Sequence, residues 1–117
     1  MTFYNNHGTA VFYSDDNEYL FDFNGRVLGY FYDNSIFNFQ GKHLGWFENG
    51  WFIDHNGNYV FFNEVASGGP MKPMKSMKPM KSMKQMKPMK SMREMKPMKP
   101  MKSLYWSKHD VSSYFKR

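Results

Sequence analysis

Along the first 65 residues, apolar and aromatic side chains come in short runs broken by Gly, Asn and Asp, and no run has the 3.6-residue spacing of an amphipathic helix. Tyr, Phe, Trp, Val and Ile suit a pleated surface, so each run predicts a short strand. The runs also repeat. YLFDFNGRVLGYFYDN (19–34) stacks on SIFNFQGKHLGWFENG (35–50) and then on WFIDHNGNYVFFNEV (51–65). Gly25, Gly41 and Gly57 align, as do Leu28/Leu44/Val60, Tyr30/Trp46/Phe62 and Asp22/Asn38/Asp54. A shift of 17 residues brings in FYNNHGTAVFYSDDN (3–17), with Gly8 under Gly25, Val11 under Leu28 and Tyr13 under Tyr30. Four copies with two strands each predict eight strands.

Asn-Gly between two strand-like runs predicts a type I′ hairpin turn, which needs positive φ at both central residues. Period 2 then places Val11, Leu28, Leu44 and Val60 on one face with Tyr13, Tyr30, Trp46 and Phe62. Tyr4, Phe21, Phe37 and Ile53 are their apolar partners in the first strands. A domain of this size has little interior, so its aromatic rings must supply most of the buried area. An open sheet of four equal hairpins would leave unpaired edges, and radial closure of copy four onto copy one removes them. The expected fold is all-β, four pseudo-symmetric hairpins closed around a four-fold axis.

Four consecutive hairpins of F-D-F-N-G-x-x-x-G-Y/W character over residues 3–65, followed by a basic, Pro-punctuated tail, resemble the four-fold β-flower family. The resemblance implies four petals around a pseudo-four-fold axis. It brings no catalytic residues and no established biochemical activity.

A second pattern fills residues 71–103: Met returns every third residue for eleven triplets, always followed by Lys or Arg. Pro at five of the third positions rules out a helix. Polyproline II has three residues per turn, so it lines all the Met along one edge and all the cations along another, with a straight reach of roughly 100 Å. Charge divides at the same boundary. Residues 1–70 hold two basic and eight acidic side chains, and residues 71–117 hold fourteen basic and two acidic. The whole-chain +6 therefore hides two opposite poles. The predicted organisation is a hairpin domain (1–66), a Gly-rich linker (67–70), the triplet rod (71–103) and a short amphipathic aromatic helix (104–117). Ser107 with Asp110 reads as the capping box of that helix, which carries Trp106, Val111, Tyr114 and Phe115 on one side and Lys116 and Arg117 at its end.

The chemistry on offer is binding rather than catalysis. No nucleophile elbow or phosphate-cradling Gly loop is visible, so an enzyme is not expected. The chain has no Cys, and His7, His43, His55 and His109 lack ligand spacing, so no metal and no cofactor is expected. Met-x-x-Met is thioether chemistry that suits soft cations, but here it is set among positive charges. Asn5, Asp22, Asn38 and Asp54 occupy one equivalent position per copy; they read as turn residues, or as a polar ring able to hold a cation. Electrostatic contact falls to Lys72, Lys75, Lys78, Lys81, Lys84 and Lys87, then Lys90, Arg93, Lys96, Lys99 and Lys102. Trp106, Tyr114 and Phe115 are the candidate anchor. The reading is a non-enzymatic binding or scaffold module whose basic rod docks on a protein surface, its own domain or a neighbouring copy's. The second reading is peripheral binding to an anionic membrane, and nucleic acid comes third because aromatics are not interleaved with the Lys. Neither a signal peptide nor an 18-residue apolar span is visible, so a cytoplasmic place, peripheral to membrane in the second reading, is expected.

Overall fold

The computed structural model describes residues 1–116. Eight antiparallel strands follow in chain order: β1 (Thr2–Tyr4), β2 (Ala10–Tyr13), β3 (Tyr19–Asp22), β4 (Val27–Tyr32), β5 (Ser35–Phe37), β6 (His43–Glu48), β7 (Trp51–Ile53) and β8 (Tyr59–Asn63). Each pairs with its chain neighbours, and β1 closes on β8 through Phe3↔Asn63 and Tyr4↔Phe62. The sheet is a closed barrel and leaves no edge, as the repeat pattern requires. One helix follows, α1 (Val111–Phe115).

The turns inside each copy differ from the expected type I′. Gly8, Gly25, Gly41 and Gly57 have φ of +80° to +88°, but the residue before each does not have positive φ. Each Gly amide donates to the carbonyl three residues earlier, at Asn5, Asp22, Asn38 or Asp54. Paired positive φ occurs instead between copies, at Asp33-Asn34 and Asn49-Gly50, where two-residue loops join β4 to β5 and β6 to β7.

Every copy also carries a bulge at the same place. Phe3 faces Phe12 while Tyr4 faces Ala10, so Val11 has no opposite number, and Leu28, Leu44 and Val60 repeat this. An extra residue breaks strict alternation. The expectation that Val11, Leu28, Leu44 and Val60 share a face with Tyr13, Tyr30, Trp46 and Phe62 is therefore corrected. The first set packs into one cluster with Phe3, Phe12, Leu20, Ile36, Phe52 and Phe61, drawn from all round the barrel, and so lines the lumen. Tyr13 and Phe62 belong to a separate outer cluster with Tyr4, Phe21 and Ile53, and Tyr30 to another with Phe37 and Phe39.

The lumen is not four-fold. Copies one and four place Phe12 and Phe61 four residues after the turn Gly, where copies two and three have Gly29 and Gly45. Two residues further along the order reverses, with Phe31 and Phe47 packed on the core and Ser14 and Asn63 at the matching places. The space left by the two glycines is filled by α1. Tyr114 is fully buried, with its ring centroid 5.6 Å from Phe61 and 5.9 Å from Phe52, and Phe115 lies 5.4 Å from Phe12. A Cβ at Gly45 would strike the Ile53 carbonyl of the neighbouring strand and the Tyr114 hydroxyl, and one at Gly29 would strike the Phe37 carbonyl and press on the Phe115 ring.

The helix is shorter than expected and begins later. Asp110, not Ser107, is its N-cap: its Oδ1 accepts the Ser113 amide at 2.8 Å, and Ser113 Oγ accepts the Asp110 amide at 3.0 Å. Ser107 instead donates its amide to Tyr59 O, and Trp106 forms a parallel bridge to Tyr59, so Trp106 is not on the helix. Arg117 lies outside the described residues. Residues 71–103 contain no helix or strand, and they do not run out as a straight rod. The molecule measures only 36 × 35 × 22 Å. An extended run of roughly 100 Å can close a circle about 32 Å across, and the tail, bonded to all four petals in turn, encircles the barrel.

Candidate functional site

The tail is fixed to the barrel by a ladder of backbone hydrogen bonds. Ser76, Gln85, Glu94 and Ser103 donate their amides to the carbonyls of Gly8, Gly25, Gly41 and Gly57, at 2.7 to 2.9 Å. Ser82 and Ser91 add a rung each, to Phe23 O and Phe39 O at 3.0 Å. Nine tail residues thus correspond to one petal, a period nested inside the triplets. Every third position that is not Pro donates a rung, and the prolines at 73, 79, 88, 97 and 100 stand where no donor is used. The side chains strengthen the same rungs, since Ser76 Oγ, Gln85 Oε1 and Glu94 Oε1 accept the amides of Ala10, Val27 and His43. The turn glycines also permit close approach. A Cβ on any of the four would collide with the carbonyl of Met74, Met83, Met92 or Met101.

The cationic edge faces the barrel. Lys78 pairs with Glu64, Lys81 and Lys84 share Asp15, Lys90 reaches Glu18, Lys96 reaches Asp33, and Lys99 and Lys102 share Glu48. Aromatic faces supply the rest. Lys87 lies 4.1 Å from the Tyr19 ring centroid, Lys90 4.4 Å from Tyr30, and Lys72 5.9 Å from Trp51 while donating to Ala66 O. Arg93, the one Arg of the triplets, stacks 3.6 Å over Tyr32. Tyr32 stands where the other petals have Asp15, Glu48 and Glu64, and a planar guanidinium suits a ring better than an ammonium does. Hydrogen bonds from Lys84 and Lys81 hold the Asp15 carboxyl below its ordinary range. Burial pushes Glu64 up, but its own and Thr2's backbone amides with Lys78 outweigh this and leave it low. Lys78 is raised by its bond to Glu64 and Lys84 by its bond to Asp15.

The circuit starts and ends on one ring. Trp51 donates to Ser67 O at 3.1 Å, lies against Gly69, and meets Trp106 with centroids 5.4 Å apart. Four petals and an encircling, register-locked tail form one construction, and the family described as 4-fold beta flower protein matches it over residues 1–115. The chain belongs to the β-flower family. No curated protein and no solved structure matches it.

With ten of its eleven triplet cations, all but Lys75, set on barrel carboxylates, carbonyls or rings, this flower presents methionine. All eleven triplet Met side chains are 91–94% exposed. They form a continuous outward edge around the disc. The candidate anchor residues are placed elsewhere: Tyr114 and Phe115 fill the lumen and Trp106 closes the tail circuit. The four polar-ring residues act locally. Asn5, Asp22, Asn38 and Asp54 each turn Oδ1 onto the amides two and four residues ahead, organising the petal turns. Among the described residues, no group of three or more His, Asp and Glu is placed to hold a metal, and no helix is long and apolar enough to cross a membrane. Sequence reading overlooked the pairing of His43 with His55, at 2.9 Å between ring nitrogens, with Ser35 Oγ 3.0 Å from the other His43 nitrogen. The signal was available, since both stand at petal positions held by apolar residues in copy two, Val27 and Phe23.

Proposed function

We propose that this β flower is a non-enzymatic binding module whose contact surface is the outward methionine edge. The observation that carries the reading is the near-complete exposure of eleven apolar side chains in one continuous line. Exposed apolar surface beyond a few hundred Å² marks an interaction site, and flexible thioethers adapt to irregular apolar and aromatic partners. Rungs and ion pairs hold the edge in a closed circle, so little ordering remains to be done on binding. The fitting partner is a protein surface rich in Leu and aromatic side chains. The basic edge supports docking in cis, on the chain's own acidic barrel. Peripheral membrane or nucleic-acid binding has less support, because the Lys are turned onto carboxylates and rings and the aromatic anchors are internal.

Selection of a displayed random peptide library on the immobilised full chain tests this. Selected peptides should be rich in Leu, Phe and Trp, and should fail to bind a variant with all eleven triplet Met replaced by Gln that unfolds at the same temperature. Selection of acidic peptides that salt displaces would refute the Met edge in favour of the Lys edge. Binding to phosphatidylserine vesicles, with no peptide selected, would favour the membrane reading.

A further inference from the structure

Sulfur is distributed in an unusual way in this molecule. There is no Cys, and the buried core is built from Phe, Tyr, Trp, Leu, Ile and Val without a single Met, although Met is a common filler of irregular cores. Met1, the one Met outside the triplets, is 37% exposed, and its Sδ accepts from Asn63 Nδ2 at 3.3 Å. The other eleven thioethers stand in solvent. What holds the tail runs through other atoms: third-position amides and side chains, and the Lys and Arg head groups. Soft-metal chelation is poorly served by this shape. Neighbouring Met are about 9 Å apart along a polyproline II run, and on the convex side of a ring they fan away from one another instead of converging.

We propose that the methionine edge is a site of reversible two-electron oxidation by hydrogen peroxide or hypochlorous acid, which converts the ring from apolar to polar without unfolding the barrel. The thioether lone pair attacks one peroxide oxygen; the S–O bond forms as the O–O bond breaks, and the departing hydroxide takes the proton of the sulfur-bound hydroxyl to leave as water. With hypochlorous acid the products are the sulfoxide, chloride and a proton. The sulfur is oxidised by two electrons and the oxidant is reduced by two. Each sulfoxide is polar and chiral, and reductases for the two epimers restore the thioether. Because no core or rung contact passes through these sulfurs, the chain can take up one oxygen per triplet and keep its fold. Release of an apolar partner on oxidation follows as well, and that consequence rests on the binding reading above.

The test is stepwise peroxide treatment of the full chain, followed by intact mass, peptide mapping and thermal unfolding. Mapping should place up to eleven oxygens on the triplets ahead of Met1, with the unfolding temperature unmoved and the mass restored by methionine sulfoxide reductases. A falling unfolding temperature after the first few oxygens, or Met1 reacting ahead of the triplets, would overturn the proposal. A second arm offers the oxidised chain a peptide selected by the reduced one. Loss of binding at unchanged stability supports release. Full binding by a fully oxidised, folded chain sinks both the release step and the methionine-edge binding reading, while the oxidation itself stands on the mass data.

Discussion

Gly29 and Gly45 stand where Phe12 and Phe61 stand in the other two petals, and they make room for the chain's own C-terminus. The four-copy alignment already contained this exchange, together with its reciprocal, Phe31 and Phe47 against Ser14 and Asn63. Sequence alone gave no reason to link the missing rings at Gly45 and Gly29 to Tyr114 and Phe115, 69 and 86 residues further on, because the contact exists only once the barrel closes. The prediction is that Gly45→Phe, which restores four-fold symmetry, destabilises by more than the about 1–3 kcal/mol of ordinary overpacking, since its Cβ meets the Ile53 carbonyl as well as the Tyr114 hydroxyl. Adding Tyr114→Ala should recover part of that loss, as expected for two side chains competing for one space. Denaturant midpoints of the two single variants and the double variant measure it. Strictly additive losses would show that the space is not shared.

At the scale of elements, two periods were legible and two features were not. Period 16–17 gave the strands and period 3 gave the edges of the tail. The bulges escaped because a period-2 reading has no means of skipping a residue. The nine-residue register of the tail escaped because its third positions, Pro, Ser, Gln and Glu, follow a backbone requirement instead of a side-chain one. What matters there is whether an amide is present. Ser91→Pro should therefore remove a rung and cost about 0.5–1.5 kcal/mol, while Pro97→Ser, at a position that uses no donor, should be near neutral. Thermal unfolding of the two variants decides, and equal effects would mean that the rungs do not contribute. Asp110→Ala should cost about 1 kcal/mol by uncapping α1 and loosening the lumen plug.

For the whole molecule, the two charge poles visible in the sequence become an acidic barrel inside a basic ring, and the ring's hold should follow the ionisation of both. Asp15 and Glu64 have depressed values in the folded chain, so their contribution is present above the unfolded carboxylate range, about pH 4, and is lost as pH falls through the lower folded values. Lys78, Lys84 and Lys90 have raised values, so theirs is present below the ordinary lysine value of about 10.4 and is lost as pH rises beyond the raised one. For these groups a plateau between about pH 5 and pH 10 follows; Lys99, whose value burial and the neighbouring Lys102 lower, runs the other way. Salt should act less than acid, because it screens exposed pairs but leaves the carboxylates charged and the rungs in place. Amide exchange at Ser82, Gln85 and Ser91 reads the ring directly against barrel amides such as Phe12 and Phe61. On acidification below pH 4 the tail amides should lose protection before the barrel amides do, because closure of the eight strands does not depend on the tail's ion pairs. Rung amides that stay as protected in acid as at neutral pH would mean that backbone rungs and aromatic contacts alone hold the ring, with the charge division serving something other than its attachment.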